Sequence, residues 1–346
     1  MAYTTIDDPT LYFSSTIWTG NGVDDRAIGI DGTGMQPDFV WIKSRNDTDN
    51  HRLVDSVRGA TKHLESDNTS AEQTSSNVKT FTSTGVTLST NGAVNANSEL
   101  YASWSWKAGT SFTNDASATG IGTIDSTGSV NQDAGFSICS YTGTGSAGTI
   151  KHGLSAAPNF MIVKNRDAAR SWNVYFGDPT DYMYLNDTAA AADYNEIWND
   201  TAPTTSVFSV GTDNGVNQSG EKYIAYIFAE KKGYSKFGSY TGNGNNDGTF
   251  VYTGFKPAFV MNKLSSGADN WLISDNKRLG YNEKNQQLFP NLSNAEQTNV
   301  RYDLYSNGFK VVNNNGEINT SGATYIYMAF AENPFVTSTG VPACAR

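Results

Sequence analysis

One sentence is written three times in this chain. Trp18-Thr19-Gly20-Asn21-Gly22 leads to Pro37-Asp38-Phe39-Val40-Trp41-Ile42-Lys43, and Tyr141-Thr142-Gly143-Thr144-Gly145 leads to Pro158-Asn159-Phe160-Met161-Ile162-Val163-Lys164. Tyr240-Thr241-Gly242-Asn243-Gly244 leads to Pro257-Ala258-Phe259-Val260-Met261-Asn262-Lys263. First glycine and proline are separated by 17, 15 and 15 residues; each proline precedes a closing tyrosine (Tyr101, Tyr223, Tyr325) by 64, 65 and 68. Ala71-Glu72-Gln73-Thr74 returns as Ala295-Glu296-Gln297-Thr298, so the similarity spans the whole unit. Any fold for this chain has to hold three related copies.

Within each unit, short apolar runs such as Phe39–Ile42 alternate with turn residues, the texture of β-structure. In Tyr101-Ala102-Ser103-Trp104-Ser105-Trp106 the period of two puts both tryptophans on one face. Asn-Gly pairs at 21, 91, 214, 243, 307 and 315 read as hairpins or loop tips. The expectation is an all-β chain of three tandem antiparallel β-sandwich repeats of jelly-roll type. The units are 12–108, 136–232 and 233–335, with a leader (1–11), a Gly/Ser/Thr-rich linker carrying one edge strand (109–135) and a tail (336–346). Phe39, Phe160 and Phe259 are expected in the cores of their own units. The short connector predicts close coupling of the second and third units, with the first on a longer tether. A string of units and a pseudo-threefold cluster imitating a trimer both remain open, as does homo-oligomerisation.

The formal charge of −10 opposes binding to nucleic acid or an anionic membrane through the bulk surface. No run of 18 apolar residues occurs, and Met1 to Thr5 lacks the basic and apolar regions of a secretory signal. The expected route is manufacture in a cytoplasm and delivery by assembly. Cys139 and Cys344 make no disulfide framework, and their redox state stays open.

Catalytic patterns are thin. Gly143-Thr144-Gly145-Ser146-Ala147-Gly148 fits a dinucleotide loop in letters, but no helix follows to meet a pyrophosphate. The three histidines form no metalloprotease motif, and no strand carries two alternating acids for glycoside hydrolysis. A non-enzymatic protein without a cofactor is expected. Asp24, Asp25 and Asp247, in equivalent oxygen-rich loops, are weak Ca²⁺ candidates beside their plainer role in turns. Trp41, Trp104 and Trp106 read as core. Trp172 and Trp271, each 14 residues after its proline, and Trp198, in a polar stretch, are the candidates for stacking on sugar rings.

Several stretches resemble one family. They are Met1 to Pro9, Gln36 to Lys43, Asp55-Ser56-Val57-Arg58-Gly59-Ala60-Thr61-Lys62, Gly238 to Pro257, and Tyr325 to Phe335 followed by Gly340-Val341-Pro342. The chain is similar along its length to the tandem-repeat structural proteins of tailed bacteriophages, marine ones especially. That resemblance implies concanavalin-A-like (lectin/glucanase) sandwiches, a virion location and other virion proteins as partners. It brings no catalytic residues. A tail fibre or adhesin contacting host surface polysaccharide is the leading expectation, and a knob-like capsid or tail decoration protein the alternative. A polysaccharide depolymerase comes third.

Overall fold

The computed structural model describes residues 2–30, 34–278, 282 and 284–343. It is all-β, with 44% strand against 7% helix, so sheets alone carry the architecture. The same strand order appears three times. Phe13–Thr19, Leu100–Trp106, Phe39–Ser44 and Arg52–Asp55 lie side by side in the first unit. Ser235–Thr241, Thr324–Pro334, Phe255–Leu264 and Trp271–Asp275 do so in the third. The second unit has Phe136–Thr142, Lys222–Phe228, Phe160–Asn165 and Asn173–Tyr175 in that order within an eight-stranded sheet. The segment expected as a linker enlarges that sheet with two strands, Thr110–Asn114 and Ser126–Asn131, the latter pairing with Phe136–Thr142.

Alternation along these strands divides them between two cores. Phe39 and Trp41, Phe160 and Ile162, and Phe259 and Met261 enter one central cluster, as do Trp104, Trp106, Phe228 and Phe330 from the closing strands. The intervening residues face outward, each set onto a second small sheet of its own unit. Val40, Ile42 and Tyr101 meet Ile28 and Val86; Val163 and Tyr223 meet Ile150 and Phe208; Val260 and Tyr325 meet Val251 and Phe309. Strands buried on both faces read as unbroken apolar runs, which is why Phe39–Ile42 looks as it does.

The central cluster corrects two expectations. Phe39, Phe160 and Phe259 do not fill separate cores; they converge on one. Nor is the first unit loosely tethered: Phe13 stacks on Phe330 with ring centroids 5.0 Å apart, and Phe39 lies 4.1 Å from Tyr226. Burying aromatic faces between units outweighs the freedom that a longer connector allows.

The closing tyrosines explain a third correction. Tyr101, Tyr223 and Tyr325 accept the backbone N–H of Ala96, Gln218 and Thr320 at 2.7–2.8 Å, just past the single helical turns Gly92–Asn95, Asn214–Asn217 and Gly316–Asn319. Asn91 and Asn315 are the N-caps of two of these turns, accepting from Ala93 and Glu317, so these Asn-Gly pairs start helices and do not tip hairpins. Each turn ends in a buried asparagine whose amide binds the glycine loop. Asn217 Oδ1 accepts from Thr144 N at 2.8 Å, and its Nδ2 donates to the carbonyls of Ser146 and Gly211, both at 2.7 Å. Gly143 has to be glycine here, since a Cβ would lie 2.3 Å from the Gln218 carbonyl oxygen.

Candidate functional site

The three sugar-stacking candidates are buried, with Trp172 at 0%, and Trp198 and Trp271 at 1% exposure. None has a ring face for a ligand. Trp198 packs edge-on against Tyr175 inside the second unit. Trp172 and Trp271 are joints between units: their indole N–H groups donate to the carbonyls of Glu65 and Tyr184 at 2.8 and 2.9 Å. The first unit's counterpart is His51, also 14 residues after its proline, with Nε2 at 2.9 Å from the Phe289 carbonyl. One position thus ties first to third, second to first and third to second. An apolar ring carrying one N–H suits a buried place with one carbonyl to satisfy.

Charged residues reinforce two of these junctions. Arg166 grips Glu72 in two-pronged fashion, Nε to Oε2 at 2.8 Å and Nη2 to Oε1 at 3.1 Å. Arg45 grips Glu296 likewise, both contacts at 3.0 Å. Arg58 and Arg278, buried in the same junctions, pair with Asp55 and Asp275 on their own units and reach Glu72 and Glu296 at 3.3 and 3.1 Å. Each aspartate also accepts from the adjoining unit: Asp55 from the Tyr226 hydroxyl at 2.7 Å, Asp275 from the Trp104 indole at 3.0 Å. Burial alone would raise the Asp275 carboxyl, but Arg278 and the Trp104 N–H outweigh it and hold the group below its ordinary value. Buried carboxylates persist where a counter-charge and further donors surround them, as Arg58 and Tyr226 surround Asp55.

The third junction, between second and third units, lacks the buried Arg, Asp and Glu of the other two. Ser265 takes the place of Arg45 and Arg166, each eight residues after its proline. Met161 pairs with Tyr175 in register, so Phe176 stands where Asp55 and Asp275 stand. Met328 replaces the donors Trp104 and Tyr226 on the closing strand. Ala191 replaces the glutamates, and its N–H donates to the Ser265 carbonyl at 2.9 Å, as Glu72 donates to Arg166 and Glu296 to Arg45. Acid, base and donor are exchanged together, while the backbone contact remains. A groove of about 390 Å³ opens at this junction, lined by residues of both units, Phe176 and Phe237 among them.

The sequence matches the family described as a domain of unknown function, DUF7483, over residues 8–334. The chain belongs to this family. The curated proteins contain no match.

The remaining candidates in this DUF7483 chain resolve simply. Asp24 and Asp25 clasp the Lys79 ammonium at 2.9 and 2.6 Å, and Asp247 pairs with Lys310. Each of these three exposed carboxylates thus has a lysine as its partner. No group of three metal-ligating side chains occurs among the described residues. Cys139 is a buried free thiol, pushed up to about 12 by burial, while Cys344 lies outside the described residues. His152 is buried and pulled down to about 4 by desolvation, with its Nδ1 accepting from Leu154 N at 3.1 Å. Lys43, Lys164 and Lys263 are buried, each donating to turn carbonyls of its own unit. Lys164 also reaches the Thr69 carbonyl of the first unit at 3.2 Å. Sequence reading missed His51, the Glu–Arg pairs and these lysines. The signal was repetition: the lysines stand six residues after the repeated proline, Arg45 and Arg166 eight, and His51 shares its place with Trp172 and Trp271, while the glutamates sit in the repeated Ala-Glu-Gln-Thr.

Proposed function

We propose that the chain is a non-enzymatic structural protein of a bacteriophage particle, a compact knob on the virion surface. In this reading three concanavalin-A-like sandwich repeats form a pseudo-threefold cluster. The phage assignment rests on the sequence resemblance. The knob reading rests on closure of the ring: backbone N–H groups of Glu72, Ala191 and Glu296 reach the carbonyls of Arg166, Ser265 and Arg45 at 2.8, 2.9 and 2.6 Å. A single chain so closed imitates a cyclic trimer and suits a seat of threefold or near-threefold symmetry, with other virion proteins as partners. Decoration of the head or tail gains over the fibre or adhesin reading, because Trp172, Trp198 and Trp271 serve the interior.

Imaging of purified virions labelled with an antibody to this chain tests the proposal. Label on compact three-lobed projections supports it. A chain that is missing from the particles, or that forms an extended shaft, overturns it. Purified protein that blocks phage adsorption to host cells would restore the adhesin.

A further inference from the structure

Two of the three junctions are backed by covalent connectors. Residues 107–135 run from the first unit to the second, and residues 229–234 from the second to the third. The junction between third and first units has no connector, although Phe13, Trp104 and Arg45 meet Phe330, Phe259 and Glu296 across it. What crosses this seam is the leader. Residues 3–9 run into the first strand of the first unit, yet they are held by the third unit and the tail that follows it. The Tyr3 hydroxyl donates to the Gly254 carbonyl at 2.7 Å, and its ring packs edge-on against Phe335. Ile6 is buried in the central cluster. Asp7 accepts from the Ser338 N–H at 2.6 Å and from the Ser338 hydroxyl.

The third unit is shaped to receive this segment. A Cβ on Gly254 would lie 2.7 Å from the Tyr3 hydroxyl oxygen, and one on Gly233 would lie 2.9 Å from Thr4 Cβ. Thr4 is buried in the space so left, and the Lys232 ammonium sits 4.5 Å from the centre of the Tyr3 ring. We propose that residues 3–9 are the latch of the ring: seated, the strap holds the first and third units together, and released, it lets that seam alone open. A covalent connector keeps two parting units at high effective concentration, so they close again. Across the seam the strap supplies such a tether without a covalent bond. Its end is held by half-buried Tyr3 and exposed Asp7, contacts of the kind that open first in a folded protein. The device does not depend on where the protein sits.

Amide hydrogen exchange on the intact chain reads each junction through one N–H: Glu296 for the seam, Glu72 and Ala191 for the other two. Deletion of residues 2–8 should accelerate exchange at Glu296 by at least about tenfold and leave Glu72 and Ala191 within about twofold of the wild type. The full-length double variant Tyr3→Ala with Asp7→Ala keeps Thr4 and Ile6 in place. It should act in the same direction by a smaller factor, and it decides the matter where the deletion fails to fold. Tyr194→Ala, which alters an exposed aromatic of the second unit, should change none of the three amides. Unchanged exchange at Glu296 in the strap variants, equal acceleration at all three amides, or acceleration of Glu296 by Tyr194→Ala would each overturn the proposal.

Discussion

His51 and Phe289 belong to different units, yet the His51 Nε2–H donates to the Phe289 carbonyl at 2.9 Å. The Trp41 indole, a donor only, reaches His51 Nδ1 at 2.7 Å, so Nδ1 has to accept and the proton sits on Nε2. Full burial, then the positive charge of nearby Lys43, pulls this imidazole down to about 3.

Stability therefore depends on His51 in acid. Its folded pKa lies below the ordinary value of about 6.5, so the unfolded chain binds the extra proton first. The contribution is fully present above about pH 6.5 and is lost as pH falls toward 3. His152 acts in the same direction. Asp67, raised to about 6 by burial and accepting from His51 N, acts oppositely between its folded value and the ordinary carboxylate range. Urea titrations of wild type and His51→Gln at pH 7 and pH 4 isolate the His51 share. The wild type should lose more stability across that interval, by a difference on the order of 3 kcal/mol. Equal losses would refute the assignment.

Trp172→Ala and Trp271→Ala should unfold the protein readily, each costing about 3–5 kcal/mol in denaturant titration. Both remove a buried ring and strand a carbonyl of the neighbouring unit. A nearly unchanged melting temperature would return these side chains to the surface, as a role in sugar stacking requires.

The junctions should differ in their sensitivity. Arg58→Ala leaves Asp55 buried without its cation and should cost about 3–5 kcal/mol. Ser265→Ala, at the third junction, removes one hydrogen bond to the Thr324 carbonyl and should cost about 1 kcal/mol. Comparable losses at the two sites would show that the ion pairs do not hold the ring.

Asn217→Ala strips two hydrogen bonds from the loop Gly143–Ser146 and a third from the Gly211 carbonyl, leaving these backbone groups unpaired. A loss of at least about 2 kcal/mol is expected. Amide exchange at Thr144 should accelerate well beyond the change at Leu154. Uniform acceleration along the second unit would point to global loosening instead.

The sequence by itself determined the all-β class, the three copies and the face on which Trp104 and Trp106 lie. These are local properties: a two-residue period and the turn preferences of Gly and Asn are written in adjacent letters. Tertiary structure decided what those faces meet. Nothing near Phe39 says that its neighbour is Tyr226, or that Glu72 closes on Arg166, because partners across a packed interface are chosen by shape and charge at long range. The tryptophans were misjudged for the same reason. Recurrence with Trp271 at one spacing made Trp172 a stacking candidate, and only the adjoining unit, which supplies the Glu65 carbonyl, shows it enclosed. The exchange of Asp55, Arg166 and Tyr226 for Phe176, Ser265 and Met328 likewise makes sense only once the units are closed into a ring, since each substitution alone would leave a buried charge or donor without a partner.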